Sequence, residues 1–292
     1  MKKLIALVMT LILAVTCFAA CAPKNDAPAT TAGTTAAATT SAETVADTTP
    51  VDTTAAAADS DMTSIQNIGN IVIGITDYAP MDYKDADGNW TGFDAEFAKL
   101  FADELGVTCE FFVIGDWGKK FVELETKNID AVWNGMTITE EAKLNASVSN
   151  PYVVNAQVLV MKADKIASYA DAASIVDLAV AVENGSAGQA AAEEAGVKNI
   201  IAVQDQAAAL LEVKAGTSDA CVIDITMANA MTGEGTDYAD LAAGFSLTSE
   251  EYGVAFRKNS DLTAKFNDFM ATLIEDGTLQ ALADKYQLTL VK

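Results

Sequence analysis

From Ile71 onward the chain alternates between two hydrophobic periods. Ile71-Val72-Ile73-Gly74-Ile75 is almost continuously apolar, the pattern of a strand buried on both faces of a parallel sheet. Phe93, Phe97, Leu100, Phe101 and Leu105 then follow helical spacing, with Asp94 placed to cap the start and Gly106 to end it. Strand-like Cys109 to Val113, a helix around Phe121 and Leu124, and a strand from Ile129 to Trp133 follow. The alternation returns with Leu178 to Val182, a helix from about Gln189, Ile200 to Val203, a helix from Gln206 to Lys214, and Ala220 to Ile223. Strands and helices alternating at this spacing predict an α/β protein with parallel sheets.

Two sets of such units predict two lobes. The apolar stretch Gln157 to Met161 is expected to carry the chain into the second lobe, and Tyr252 to Phe256 to bring it back. Open α/β sheets present their ligand-binding loops at the carboxyl ends of their strands, so facing lobes would share a cleft between those loops.

The N-terminal segment has a different texture. Lys2 and Lys3 precede an apolar run from Leu4 to Val15, a secretory signal too short for a stable membrane span. Ala19-Ala20-Cys21 reads as a lipoprotein cleavage site, with Phe18 where leucine is usual and Cys17 as the rival position. This makes residues 1–20 a signal peptide and Cys21 a lipidated residue tethering the protein to the outside of a bacterial cell membrane. Residues 21–62 are nearly all Ala, Thr, Asp, Ser and Pro, too poor in large apolar groups to offset the entropy of ordering, and are expected to form a disordered stalk.

The chain carries a formal net charge of −23, and loss of Lys2 and Lys3 with the signal takes it to −25. That balance argues against a nucleic-acid partner, which needs a basic face. There is no histidine, so His-based acid–base chemistry, His metal sites and Ser-His or Cys-His nucleophiles are excluded. Cys109 and Cys221 lie in strand-like runs and are expected as buried free thiols. Asp85-Ala86-Asp87-Gly88-Asn89 matches several calcium-loop positions, but Trp90 occupies the position that needs glycine, so an Asp-Gly hairpin is expected instead.

Several motifs in order carry a resemblance. Tyr78-Ala79-Pro80-Met81, Gly92-Phe93-Asp94, Ile129-Asp130-Ala131, Gly135-Met136-Thr137-Ile138-Thr139, Ser149-Asn150-Pro151-Tyr152, Gly216 to Asp219 with Asp224, and Tyr252-Gly253-Val254-Ala255-Phe256-Arg257-Lys258 are similar to the polar amino-acid solute-binding proteins of ABC importers. The resemblance implies a two-lobed, type II periplasmic-binding-protein-like fold. Its first lobe would span 63–157 plus 252–292, and its second 158–251. It also implies a monomer without cofactor or metal that captures an amino acid or related amine by lobe closure and delivers it to ABC permease subunits.

By the same resemblance, Tyr78 contributes an aromatic surface to the ligand, Gly135 a carbonyl to its ammonium, Thr137 a hydroxyl to its carboxylate, and Asp224 the carboxylate that receives its ammonium. Asp77 and Asn134, beside these positions, are further candidates, and Trp117 and Trp133 either line the cleft or belong to the core. Ser186 lies between a strand and a helix, where it can hold an anion, cap the helix or do both.

One position departs from the family pattern. Where the family carries an arginine that grips the ligand carboxylate, this chain has Ala142, and Arg257 is its only arginine. The remaining donors for an anion are Thr137, the Ser186 loop, and Lys119, Lys120 or Lys143. Two alternatives stay open: a secreted lyase similar to cyclohexadienyl dehydratase on the same fold, and a lipoprotein that senses its ligand and signals to a receptor.

Overall fold

The computed structural model describes residues 60–292, so the expected signal peptide, the lipidation site at Cys21 and most of the expected stalk lie outside the described residues. Two five-stranded sheets organise the rest. The first sheet orders Thr108–Val113, Asn70–Ile75, Ala131–Val132, Ala255–Phe256 and Ser147–Val148. The second orders Asn199–Val203, Ala179–Glu183, Ala220–Asp224, Gln157–Lys162 and Leu241–Ser246.

In each sheet three parallel strands are joined by an antiparallel strand that arrives from the other half of the chain. Ala255–Phe256 runs antiparallel to Ala131–Val132, and Gln157–Lys162 antiparallel to Ala220–Asp224. The sheets are therefore mixed, because a chain crossing between lobes enters each sheet against its neighbours' direction. The crossing itself is made by Val153–Asn155 and Glu250–Tyr252, which pair as a two-stranded antiparallel ribbon. Gln157 to Met161 thus lies inside the second sheet, and Tyr252 to Phe256 is split between ribbon and first sheet.

The helix Phe93–Leu105 forms where its apolar spacing predicts and ends at Gly106, whose φ of 72° suits a residue without a side chain. Phe97 and Phe101 pack with Phe266 and Trp133 in a cluster of edge-to-face rings, Trp133 lying 5.0 Å from Phe97 and 4.9 Å from Phe266. Trp133 is fully buried there and belongs to the core. The Asp-Gly hairpin is present, Tyr83–Lys84 pairing with Trp90–Thr91 while the Asp85 carboxylate accepts the Asp87 and Asn89 amides.

Two local expectations are corrected. Asp94 does not cap its helix; the N-cap is Gly92, without a side-chain bond, and Asp94 is fully buried and turned toward Gly135 and Tyr152. The stalk assigned to 21–62 runs too far, since Ser60 caps a helix at Asp61–Ile68. Asp61 is drawn into the fold by Arg257, which donates to Asp61 at 3.0 Å, to Asp130 at 2.8 Å and to the Ile129 carbonyl at 2.7 Å. A guanidinium with its donors so committed is part of the framework.

Candidate functional site

The strand ends determine what faces what. In the second sheet, the parallel neighbours Ala179–Glu183 and Ala220–Asp224 finish on acids, and Asn199–Val203 beside them is followed closely by Asp205 and Gln206. The antiparallel strand begins at the same edge, with Gln157 directly opposite Asp224. In the first sheet, Asn70–Ile75 and Ala131–Val132 release Thr76 and Trp133-Asn134-Gly135 side by side. Between the two edges lies a cavity of about 220 Å³, lined by Trp117, Lys120, Asn134, Gly135, Met136, Thr137, Thr139, Glu141, Gln157, Glu183, Gly185, Ser186, Ala187, Ala190, Gln206 and Asp224.

Contacts between the lobes run along its rim. The Asn184 amide donates to Asp116 at 2.8 Å, and the Lys120 ammonium donates to the Gly185 carbonyl at 3.1 Å. A Cβ on Gly185 would stand 2.5 Å from the Gly118 Cα, so this approach of two backbones requires glycine. Elsewhere along the cleft the Tyr78 hydroxyl bonds Thr226 and Tyr252.

Asp224 is the most elaborately held group in the cavity. Asn155 and Gln157 donate amide hydrogens to one of its oxygens, the latter at 2.7 Å, and Gln206 donates to the other. The Gln206 carbonyl in turn accepts the Asp224 amide at 2.9 Å. Although Asp224 occupies the N-cap position of Ile225–Met231, its side chain makes no capping bond. Burial, and then the nearby Glu250 carboxylate, push its pKa up to about 6. Three amides nevertheless point their positive ends at it, an arrangement that presents an anion to the cavity.

Of the other expected site residues, Trp117, Asn134, Gly135, Thr137 and Ser186 also line the cavity, whereas Asp77 and Tyr78 do not. Tyr78 lies beneath Gly135, and a Cβ at Gly135 would come within 2.6 Å of the Tyr78 ring. Asp77 is exposed, and partial burial together with Asp205 across the cleft raises its pKa. Asn134 spends its amide on the frame: it accepts from the Thr76 amide at 2.9 Å and donates to the Thr76 hydroxyl at 2.7 Å. The Thr137 hydroxyl donates to Glu250 at 2.8 Å rather than into the cavity, and the Ser186 hydroxyl caps Ala187–Glu194 through Gln189 at 3.1 Å.

Sequence reasoning left out Gln157, Gln206 and the side chain of Glu183. Each sits at the carboxyl edge of the second sheet, so the general rule about strand ends was the available signal. Lys120, one of three lysines considered, is the one that reaches the cavity. It is 6% exposed, its ammonium lies 5.1 Å from the centre of the Trp117 ring, and burial lowers its pKa. Lys119 and Lys143 are instead spent on neighbouring acids, Asp116 at 3.2 Å and Glu140 at 2.8 Å. Ala142 is buried with Ile114, Leu124 and Trp117, so an apolar contact stands where the family has its guanidinium.

Known proteins place this architecture. Residues 71–289 match the bacterial extracellular solute-binding proteins, family 3. The L-cystine-binding protein TcyJ of Escherichia coli (strain K12) is 29% identical over 232 residues, covering 77% of this chain and 85% of that protein. The arginine-binding extracellular protein ArtP of Bacillus subtilis (strain 168) is 30% identical over 241 residues, covering 79% and 91%. The ABC transporter glutamine-binding protein GlnH of the same organism is 28% identical over 239 residues, covering 77% and 84%. Among solved structures, the ancestral amino acid-binding protein AncCDT-1, a precursor of cyclohexadienyl dehydratase, superposes with a TM-score of 0.71 at 32% identity over 78% of this chain and 99% of that one. Holo ArgBP from T. maritima gives 0.68 at 32% identity over 72% and 93%. The fold is that of the two-lobed type II periplasmic binding proteins, and the chain belongs to the bacterial extracellular solute-binding proteins, family 3.

Proposed function

We propose that this protein is the extracytoplasmic, Cys21-anchored ligand-capturing subunit of an ABC importer, and that it encloses a small amino-acid-like molecule between its lobes. The observation that carries the reading is the Asp224 carboxylate, 3% exposed, lining the interlobe cavity and braced by Asn155, Gln157 and Gln206. A carboxylate buried this way is costly until a cation pairs with it, so a ligand ammonium removes the cost. The names of the relatives support the class of ligand: TcyJ is called an L-cystine-binding, ArtP an arginine-binding and GlnH a glutamine-binding protein.

Lys120 serves the other end. Its ammonium donates to carbonyls of both lobes, at 3.4 Å to Trp117 and 3.1 Å to Gly185. An ammonium has three donors, so one remains for a ligand carboxylate, taking over the charge that the family supplies from the position of Ala142. Because Lys120 also touches the second lobe, an anion bound there reinforces closure.

The test is a thermal-shift screen of the purified protein against the free amino acids and simple diamines. A ligand that binds only the folded state raises the melting temperature with concentration according to its Kd. At least one amino acid or amine is expected to do so. A flat response across the whole panel would refute the reading. For the anchor, Cys21→Ala should abolish palmitate labelling; labelling that persists would place the lipid elsewhere.

A further inference from the structure

The cavity holds a second acid that recognition of a single ammonium does not use. Glu183 ends the strand beside that of Asp224, is 3% exposed and lines the same cavity. The two acids are treated very differently. Asp224 receives three side-chain amides, whereas Glu183 Oε1, fully withdrawn from solvent, has no hydrogen-bond partner among the described residues. Buried carboxylate oxygens are ordinarily satisfied, and an orphan on the lining of a ligand cavity is free to take a partner from the ligand.

The nearest basic group does not fill that role. Lys120 faces the same space but directs its ammonium to the Trp117 and Gly185 carbonyls, and no ion pair joins it to Glu183 among the described residues. Burial raises the proton affinity of Glu183 strongly, and Asp224 and Asp205 raise it further while Lys120 offsets part of this. Burial, Asp224 and Asp205 act against the charged form, and Lys120 and Gln206 offset only part of this, so an additional positive charge placed here would relieve them together. With Glu141 also on the lining, the cavity has more acids than its single lysine balances.

We propose that Glu183 is a specificity-determining residue that receives a second cationic nitrogen of the ligand, distinct from the one held by Asp224, so that the preferred ligand carries two cationic nitrogen groups. This rests on the reading of the cavity as an amino-acid or amine site. Strand geometry favours it: neighbouring parallel strands end on the two acids, giving two anionic points on one edge of one sheet. A cation at Glu183 would also lie near Asp205, whose side chain otherwise only caps the helix Gln206–Ala215.

The experiment is calorimetric titration of the whole protein, wild type and Glu183→Gln, with matched pairs that differ in side-chain charge: lysine against norleucine and arginine against citrulline, with putrescine alongside. Wild type is expected to bind at least one charged member at least tenfold tighter than its neutral partner. Glu183→Gln should bring that ratio to within about twofold of unity and leave the neutral member within about threefold of its wild-type Kd. Should the glutamine variant fail to fold, the ratio is read on Glu183→Asp, whose retracted carboxylate should reduce it several-fold. A ratio unchanged in the variant, or a wild-type preference for the neutral members, would overturn the role of Glu183 while leaving the cavity an amino-acid site. Absence of binding by every compound would overturn both.

Discussion

The Asp94 carboxylate accepts the Gly135 amide at 2.6 Å, tying the helix Phe93–Leu105 to the cavity wall. The same carboxylate accepts the Tyr152 hydroxyl at 2.9 Å. Gly135, on the cavity lining, is thereby held with a φ of 57° and its position over the Tyr78 ring is fixed. A helix that reads in sequence as a core element thus also sets the geometry of the site.

Replacing Gly135 with alanine should therefore cost stability and affinity together. A Cβ would meet Tyr78 at 2.6 Å and Tyr252 at 3.1 Å while the backbone stays left-handed. Strain and overpacking sum to about 2–5 kcal/mol. Urea denaturation of Gly135→Ala checks this, and a loss well under 1 kcal/mol would show that the loop relaxes freely.

Below that bond lies a pair of buried acids. Burial raises the Asp94 pKa to about 7, and Asp82, fully buried and without a hydrogen-bond partner for either oxygen among the described residues, is likewise raised well above the usual carboxylate range, by burial first and then by Asp94. An acid whose folded pKa exceeds its unfolded value of about 4 keeps a proton the unfolded chain has lost, so its stabilisation is largest at low pH. Stability should fall as pH rises from about 4 to 7. Asp82→Asn, which mimics the protonated side chain, should make the difference between the pH 5 and pH 8 urea midpoints smaller. An unchanged difference would remove the pair from the explanation.

Lys120 makes a separate prediction about the anionic end of the ligand. Hydrogen bonds to a charged group contribute about 1.5–3 kcal/mol, so Lys120→Met should weaken a free amino acid by about 10- to 150-fold. The corresponding amino-acid amide should change far less. Equal losses for acid and amide would mean that Lys120 acts only by holding the lobes together through Gly185.

How much of this was legible in the sequence depends on whether a residue's partner is near or far along the chain. The strand at Asn70–Ile75, the helix at Phe93–Leu105 and the hairpin around Gly88 follow from local periodicity and turn chemistry, whereas Asp224, which lines the cavity, was singled out by the family resemblance at the end of its strand. Asp94 was misread as a cap because a polar residue at a helix start has the same local appearance whether it serves its own backbone or an amide 41 positions away. Ser60 and Asp61 were assigned to the stalk because their order derives from Asp261 and Arg257, about 200 positions later. Gln157, Gln206 and Glu183 carry no periodic signature as a set; only the side-by-side order of four strands, Asn199–Val203, Ala179–Glu183, Ala220–Asp224 and Gln157–Lys162, brings them to one edge. Tyr78 illustrates the converse: its ring belongs under Gly135, a depth that sequence does not encode.

Titration calorimetry of wild type against Asp224→Asn, with the amino acid or amine that gives the largest thermal shift, tests the central claim most directly. Asparagine preserves the shape but removes the charge that Asn155, Gln157 and Gln206 surround, and losing a buried charge pair costs about 2–5 kcal/mol. One ligand per wild-type protein, with affinity lowered at least 30-fold in a variant that remains folded, is the expected result. A folded Asp224→Asn protein that binds as tightly as wild type would contradict it.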